Sequence, residues 1–594
     1  MSNKGMSRRS FLSGAAVMGA AFAGSAALTG CSPQAATNAE VEEALASTGA
    51  GTVGYDGTGT MPWLGEAPVI ADDAVTESID ADVVVVGLGC AGVPAARAAV
   101  EAGAKVVCLE ASAQLNSVAS DLAVFGGKTM ERWGRGDGFL SKQEIVNMHM
   151  AECSHHCSYG IINRWCDESG SAFDWFIEPS ENLYVAGESY EEIPEEGQEN
   201  YLYPYFYPML ETYDYTKEDM PCYPTSVGFN SLATVMADNL KVAEEGGADI
   251  RYSTKGISLI TSENGAIEGM YAQELGSESY IKINAKSVVL ATGDYLANED
   301  MMKYFAPECI ENGINILSLD MDANGDYTNI GDGHKMGAWA GAAIEQWHAP
   351  MIHHMGGGAG ADGRGVIGNN GYLWLNLYGE RFMNEDVPGQ QLENQVELQP
   401  QRMAYQFFDA SWPNQLEYFP AAHGVACIYR EEELPSYTAA GLRINVRTQA
   451  DIDSAVEEGR CLKADTIDEL LAQIEGMDVE AAKASIERYN ELAKAGEDTD
   501  FGKNAQRLFA LENGPFYAAA CGCALTLGNL GGLESDADCH VYNTNRERIE
   551  GLYVCGAPQG GRFNVQYPIS LKGLSSGMCV TFGRIAGENA ALGK

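Results

Sequence analysis

The chain has 594 residues and carries 83 Asp and Glu against 37 Lys and Arg, a formal net charge of −46. That acid surplus makes nucleic acid and anionic lipid surfaces poor partners; it suits solubility outside a cell and would attract a cationic electron-carrier protein. The length allows one large α/β domain plus a second lobe. Fifteen scattered cysteines read as mostly free thiols rather than a disulfide framework. No CxxCH is present to attach a c-type haem covalently.

Residues 1–31 read as an export address. Ser7-Arg8-Arg9-Ser10-Phe11-Leu12 is a twin-arginine signature, followed by a small-residue apolar run from Ala15 to Leu28. Leu28-Thr29-Gly30-Cys31 reads as a lipobox, with Cys31 the lipidated N-terminus of the mature chain; the alternative is an ordinary cleavage site. The expectation is export by the twin-arginine route to the cell surface or periplasm. The chain would then be tethered to the outer face of the cytoplasmic membrane through Cys31, its sole membrane contact. Residues 32–79 are expected to be a flexible linker.

Asp82 to Gly92 reads as a buried strand, a glycine turn and a helix start, and Lys105 to Leu109 as a second strand ending on Glu110. This is a dinucleotide-binding βαβ unit. Gly87 permits the turn, Gly89 and Ala91 face the pyrophosphate, Gly92 lets helix and strand approach, and Glu110 accepts from a ribose hydroxyl. The acid disfavours a phosphorylated ribose, and so NADP. Asn116 to Gly127 is small and polar, with Ser117, Gly126 and Gly127 as further cofactor contacts. Helical periodicity runs through Ile145–Ile177 and includes Cys153 and Cys157. No second cysteine pair follows at suitable spacing, a helix face explains the two, and no metal site is expected.

Residues 184–224 are acidic and aromatic, a surface plate or a lid. A helix (Asn230–Glu245) and strands at Ile250–Tyr252, Gly269–Glu274 and Tyr280–Asn284 lead to Ser287–Gly293, a strand whose turn offers Thr292 and Gly293 to the cofactor. Residues 301–430, rich in Gly, His, Trp and Asn, form the second lobe. Helices follow near Ile467–Ala495, then a strand at Gly551–Gly556 and a final helix, Gly573–Leu592. Gly556 and the helix start at Leu574, Ser575 and Ser576 complete the expected cofactor contacts. Cys108, Cys555 and Cys579 sit in apolar runs and are expected in the core.

From Asp80 to the C-terminus the chain resembles the FAD-dependent fumarate reductase and succinate dehydrogenase flavoprotein superfamily, which includes urocanate reductases and 3-ketosteroid dehydrogenases. The matching motifs are Val83–Gly92 with Glu110, Val288–Gly293, Gly331–Gly333 with Ala340–Ala342, Gly379–Glu385, Gly551–Gly561 and Thr581–Gly587. The resemblance implies an α/β fold: a Rossmann-like FAD-binding domain in two parts (80–300 and 431–594), with an inserted α+β capping domain (301–430) closing over the flavin. Ser120 stands where some members attach FAD through a histidine, so FAD is expected to be non-covalent.

The departures bear on substrate. Soluble fumarate reductases hold a carboxylate with a His-His-Thr-Met-Gly-Gly segment; the corresponding Leu527–Gly532 has no histidine. The second carboxylate-gripping arginine is replaced near Ser570, and the proton-donating arginine near Gly389. Fumarate is therefore not the expected substrate. His353 matches a family histidine, as a substrate-orienting or proton-donating group or a structural one. Tyr567-Pro568 is similar to a segment with which ketosteroid dehydrogenases polarise a carbonyl; Tyr567 is a candidate donor or a packed aromatic. Lys572 is a candidate acid or faces the flavin edge. Arg381 joins the candidates, read mainly as ion-paired with Glu385.

Hydride transfer from a flavin to C=C requires a conjugated electron sink, a donor to the charge that develops there, and a proton. The expected function is an exported, FAD-dependent reductase of an enoate, enone or steroid-like acceptor in anaerobic respiration. Its FAD would be reduced by a separate cytochrome or membrane quinol-oxidising protein. The alternatives are a 3-ketosteroid-type dehydrogenase and a flavin-loaded electron-relay or binding lipoprotein.

Overall fold

The computed structural model describes residues 61–115, 121–135, 140–186, 200–204, 225–311, 315–316, 320–322, 324–353, 356–359, 365–386, 395–419, 447–522, 525–568 and 571–594. Residues 62–594 form one compact unit. The export address, Ser117, Ser120 and most of the 184–224 segment lie outside the described residues.

A six-stranded sheet organises that unit, in the order His540–Tyr542, Arg548–Val554, Ser287–Leu290, Val83–Val86, Val106–Leu109, Asp249–Arg251. All neighbours are parallel except the first pair. Val83–Val86 and Val106–Leu109 are buried at every position, as parallel strands covered on both faces require. One face packs the helices Gly92–Glu101 and Leu574–Leu592. Gly583 and Gly587 of the last helix allow it to sit against the first: a Cβ on either would stand 2.3 Å from the Ala91 carbonyl oxygen or 2.1 Å from that of Ala95. The opposite face meets a second sheet, in the order Val75–Asp80, Tyr280–Asn284, Ile267–Glu274, Thr254–Thr261.

Three expectations change. The expected linker does not extend to residue 79, because Val75–Asp80 pairs in parallel with Tyr280–Asn284 and Trp63 is buried. The helix expected through Ile145–Ile177 is two, Lys142–Glu152 and Tyr159–Ile177, separated by Ser154 and His155 at φ 51° and 57°. Finally, the second lobe's sheet runs past residue 430. It joins Leu373–Asn376 and Ala404–Asp409 to Phe516–Cys521 and Leu462–Ala464. The helices Ile467–Leu471 and Val479–Ala495 bury Leu470, Leu471 and Ile486 against that sheet. Among the described residues no helix is long and apolar enough to cross a membrane.

Candidate functional site

Four parallel strands of the central sheet end at one cavity of about 400 Å³, the crevice in which open α/β sheets bind ligands. Val83–Val86 runs into Gly87, Val106–Leu109 into Glu110, Ser287–Leu290 into Ala291–Gly293, and Arg548–Val554 into Gly556; all of these line it. Gly87 has φ 92°, and a Cβ there would lie 2.5 Å from the Ala291 carbonyl oxygen. A side chain is thus excluded by both conformation and space. Glu110 draws the loop together: Leu88 N–H donates to its Oε2 at 2.7 Å and Ser112 N–H to its Oε1 at 2.8 Å.

Gly89 and Ala91 also line the cavity, as do Thr292, Gly293, Ser575 and Ser576. Gly573, in the left-handed conformation at φ 78°, caps the 19-residue C-terminal helix and aims its N-terminus at the cavity. Four expected cofactor residues stand elsewhere. Gly92 lies behind the loop, where a Cβ would meet the Gly87 carbonyl oxygen at 1.8 Å, the close helix–strand approach expected of it. Gly127 packs on Gly170 of a neighbouring helix, and Gly126 precedes it without reaching the cavity. Leu574 is wholly buried beneath the helix start.

Residues the motifs did not single out complete the walls. Thr254 and Lys255 come from the strand Thr254–Thr261, whose buried positions are Thr254, Gly256 and Ser258, so no apolar alternation in the sequence marks its inward face. Lys255 pairs with Asp332 at 2.9 Å, and Thr292 Oγ1 accepts from Gly333 N–H at 3.1 Å. Asp294 accepts from Asn329 Nδ2 at 2.8 Å and from Leu296 and Asn529 N–H at 3.3 Å. Burial nevertheless pushes its carboxyl up to about 6. Cys579, expected in the core, is part-exposed and lines the cavity, while Cys108 and Cys555 are buried as expected. Among the described residues Cys108, Cys153, Cys157, Cys166, Cys461, Cys539, Cys555 and Cys579 are free thiols.

Leu527, Gly528, Leu530, Tyr567 and Lys572 also line the cavity. Tyr567 is 5 % exposed and packs on Phe563. Burial raises its phenol above the usual range despite the Ser575 N–H at its oxygen, so it remains a hydrogen-bond donor. Lys572 Nζ lies 3.8 Å from Asp121 Oδ2. His353 ends the strand Ala349–His353, its backbone paired with Leu525; its side chain is outside the description. Arg381 is not part of the cavity. Its guanidinium is gripped by Glu385 (2.7 and 2.8 Å) and Asp498 (2.7 and 3.1 Å) in the second lobe, which removes it from the catalytic candidates. Among the described lining residues there is no arginine.

The glycine loop, the acid after the second strand and the aimed helix N-terminus fit the pyrophosphate, ribose and flavin of FAD. The chain belongs to the FAD binding domain family, which matches residues 82–570, and it is an FAD-dependent oxidoreductase. It is 26 % identical over 537 residues to a vinyl phenol reductase of Lactiplantibacillus plantarum, covering 86 % of this chain and 96 % of that one. To a digoxin reductase of Eggerthella lenta it is 24 % identical over 621 residues, covering 99 % and 97 %. Among solved structures it is similar to a 3-ketosteroid-Δ4-(5α)-dehydrogenase from Rhodococcus jostii RHA1, with a TM-score of 0.64 and 21 % identity over 88 % of this chain and 99 % of that one, a likeness of fold.

Proposed function

We propose that this protein is an exported reductase of activated alkenes whose acceptor carries fewer carboxylates than fumarate: an aryl enoate, a vinyl phenol, an enone or a steroid-like lactone. The observation that carries the reading is the lining of the cavity. It offers one phenol and two ammonium groups, of which Lys255 is held by Asp332, and, among the described residues, no arginine to clamp a dicarboxylate in the bidentate way. FAD, when bound and reduced by the electron donor, would supply the hydride for the alkene carbon remote from the electron sink. Tyr567 donates a hydrogen bond to the sink's oxygen, where charge develops. Lys572, steadied by Asp121, adds positive charge in the same cavity and holds the proton that the other carbon takes. A dehydrogenase using Tyr567 as base would need its phenolate, which burial opposes. The electron donor is a separate cytochrome or membrane quinol-oxidising protein and the setting is anaerobic respiration; the twin-arginine and Cys31 signals support export and a lipid anchor on the outer face of the cytoplasmic membrane.

The test is anaerobic. The holoprotein is reduced with dithionite and mixed with vinyl phenol, aryl enoates, enones, an unsaturated steroid lactone and fumarate, and reoxidation is followed by the return of flavin absorbance. At least one of the first four reoxidises it faster than fumarate. If none outpaces buffer, the reductase reading falls to an electron relay.

A further inference from the structure

His149, Cys153 and Cys157 form a buried group apart from the cavity lining. His149 and Cys153 stand one turn apart at the end of the helix Lys142–Glu152, with Cys153 as its cap. Two successive non-glycine residues in the left-handed conformation, Ser154 and His155, then turn the chain so that Cys157 comes back to them. L-residues rarely adopt that conformation, and holding it twice in succession asks for a reason. The turn brings one ring nitrogen and both sulfurs within 4.8 Å of one another. All three residues are buried.

We propose that this group holds a single thiophilic cation, Zn²⁺. Its donors are soft: two thiols, an imidazole and, 3.3 Å from Cys157 Sγ, the Met150 thioether. Such a set selects zinc-like ions over Mg²⁺ or Ca²⁺. The imidazole is prepared for it. Nε2 sits 2.8 Å from the Arg562 carbonyl oxygen and donates to it, the backbone anchorage typical of ligating histidines. Cys153 Sγ stands 3.9 Å from that same Nε2, and Nδ1, buried with no hydrogen-bond partner among the described residues, is the lone pair left to an ion. Zinc with bonds of about 2.0–2.3 Å sets tetrahedral ligand atoms about 3.3–3.8 Å apart, so the group, whose donor atoms lie within 4.8 Å of one another, contracts on binding. On binding, Zn²⁺ replaces the two thiol protons, which leave to solvent. Sequence spacing alone missed the site because its third ligand precedes the cysteine pair by one helical turn.

The position gives the ion a task. The carbonyls of Arg562 and Gln566 contact His149 and Cys153, Phe563 packs edge-on against the His149 ring, and the segment they belong to delivers Tyr567 to the cavity. The ion fastens that segment to the helix Lys142–Glu152, as a positioning element.

Holoprotein purified anaerobically with reductant and without chelator is expected to contain one zinc per chain by elemental analysis. Its native mass should be that of chain, FAD and zinc less two protons. Cobalt exchange should give tetrahedral d–d bands to the red of the flavin absorption. Cys157→Ser should lose zinc and cobalt bands, whereas Cys461→Ser, a buried cysteine of the second lobe, should keep both. If Cys157→Ser does not fold, the wild-type measurements decide. Wild-type protein that takes up no zinc from added Zn²⁺ and shows no cobalt bands overturns the proposal. So does a Cys153–Cys157 disulfide in the anaerobically purified chain, or metal retained by Cys157→Ser.

Discussion

Glu110→Gln tests the cofactor loop most directly. In the native loop both carboxylate oxygens accept backbone N–H groups, from Leu88 at 2.7 Å and Ser112 at 2.8 Å. Glutamine keeps one oxygen and turns its other arm into an NH₂ that faces a donor. One hydrogen bond to a charged group is lost and one part-buried amide is left unpaired, a cost of about 1–3 kcal/mol. Leu88 lies between Gly87 and Gly89, so the loss falls on the glycine turn that lines the cavity, the backbone proposed to hold the pyrophosphate. FAD should then bind about 5- to 150-fold more weakly, since each 1.4 kcal/mol is about tenfold. Titration of FAD into deflavinated protein, followed by quenching of flavin fluorescence, gives the Kd; the thermal upshift at fixed FAD should shrink in parallel. A Kd within about twofold of the native value, under ~0.5 kcal/mol, would refute the assignment of Glu110 as the organiser of this loop.

Tyr567→Phe should slow alkene reoxidation of the reduced flavin by about tenfold or more if its hydroxyl stabilises developing charge, in stopped-flow traces at saturating acceptor; an unchanged rate reduces Tyr567 to packing. Arg381→Met removes the cation between buried Glu385 and Asp498 and should cost about 3–5 kcal/mol of stability in denaturant unfolding. FAD content and reoxidation rate of the folded variant should stay as in the native protein, and a large rate loss would return Arg381 to the catalytic list. Glu345 is buried and pushed up to about 8, chiefly by desolvation, against the Gly532 and Gly561 amides that it accepts from. The native state therefore binds its proton more tightly than the unfolded chain does. Stability from this group is full below about pH 4.5, its ordinary value, and is lost as pH rises to about 8. Glu345→Gln should lower the Tm overall, through a misplaced NH₂, and flatten its fall over that window; an unaltered slope would show that Glu345 does not titrate there.

The cofactor half of the site was legible because its chemistry is local. Gly87, Gly89 and Glu110 occupy fixed offsets from two all-buried strands, and a βαβ unit converts those offsets directly into geometry. The C-terminal helix start was legible for the same reason, although Leu574 points into the core and leaves the contact to Ser575 and Ser576. Gly126 and Gly127 show the limit: a glycine that approaches a cofactor and one that approaches another backbone look alike in sequence. Arg381 shows it for charge, since the Asp498 that neutralises it lies more than a hundred residues away.

The sequence by itself determined that a glycine turn and an acid stand at the carboxyl ends of a parallel sheet, because short-range turn and strand patterns are sufficient for that. Tertiary structure alone decided which side chains share the cavity, since Thr254, Asp294 and Tyr567 converge from distant segments. It also decided that the second lobe reaches Cys521, because strand pairing rather than composition assigns Phe516–Cys521 to its sheet. Long-range pairing and burial are properties of the packed chain, and no local pattern contains them.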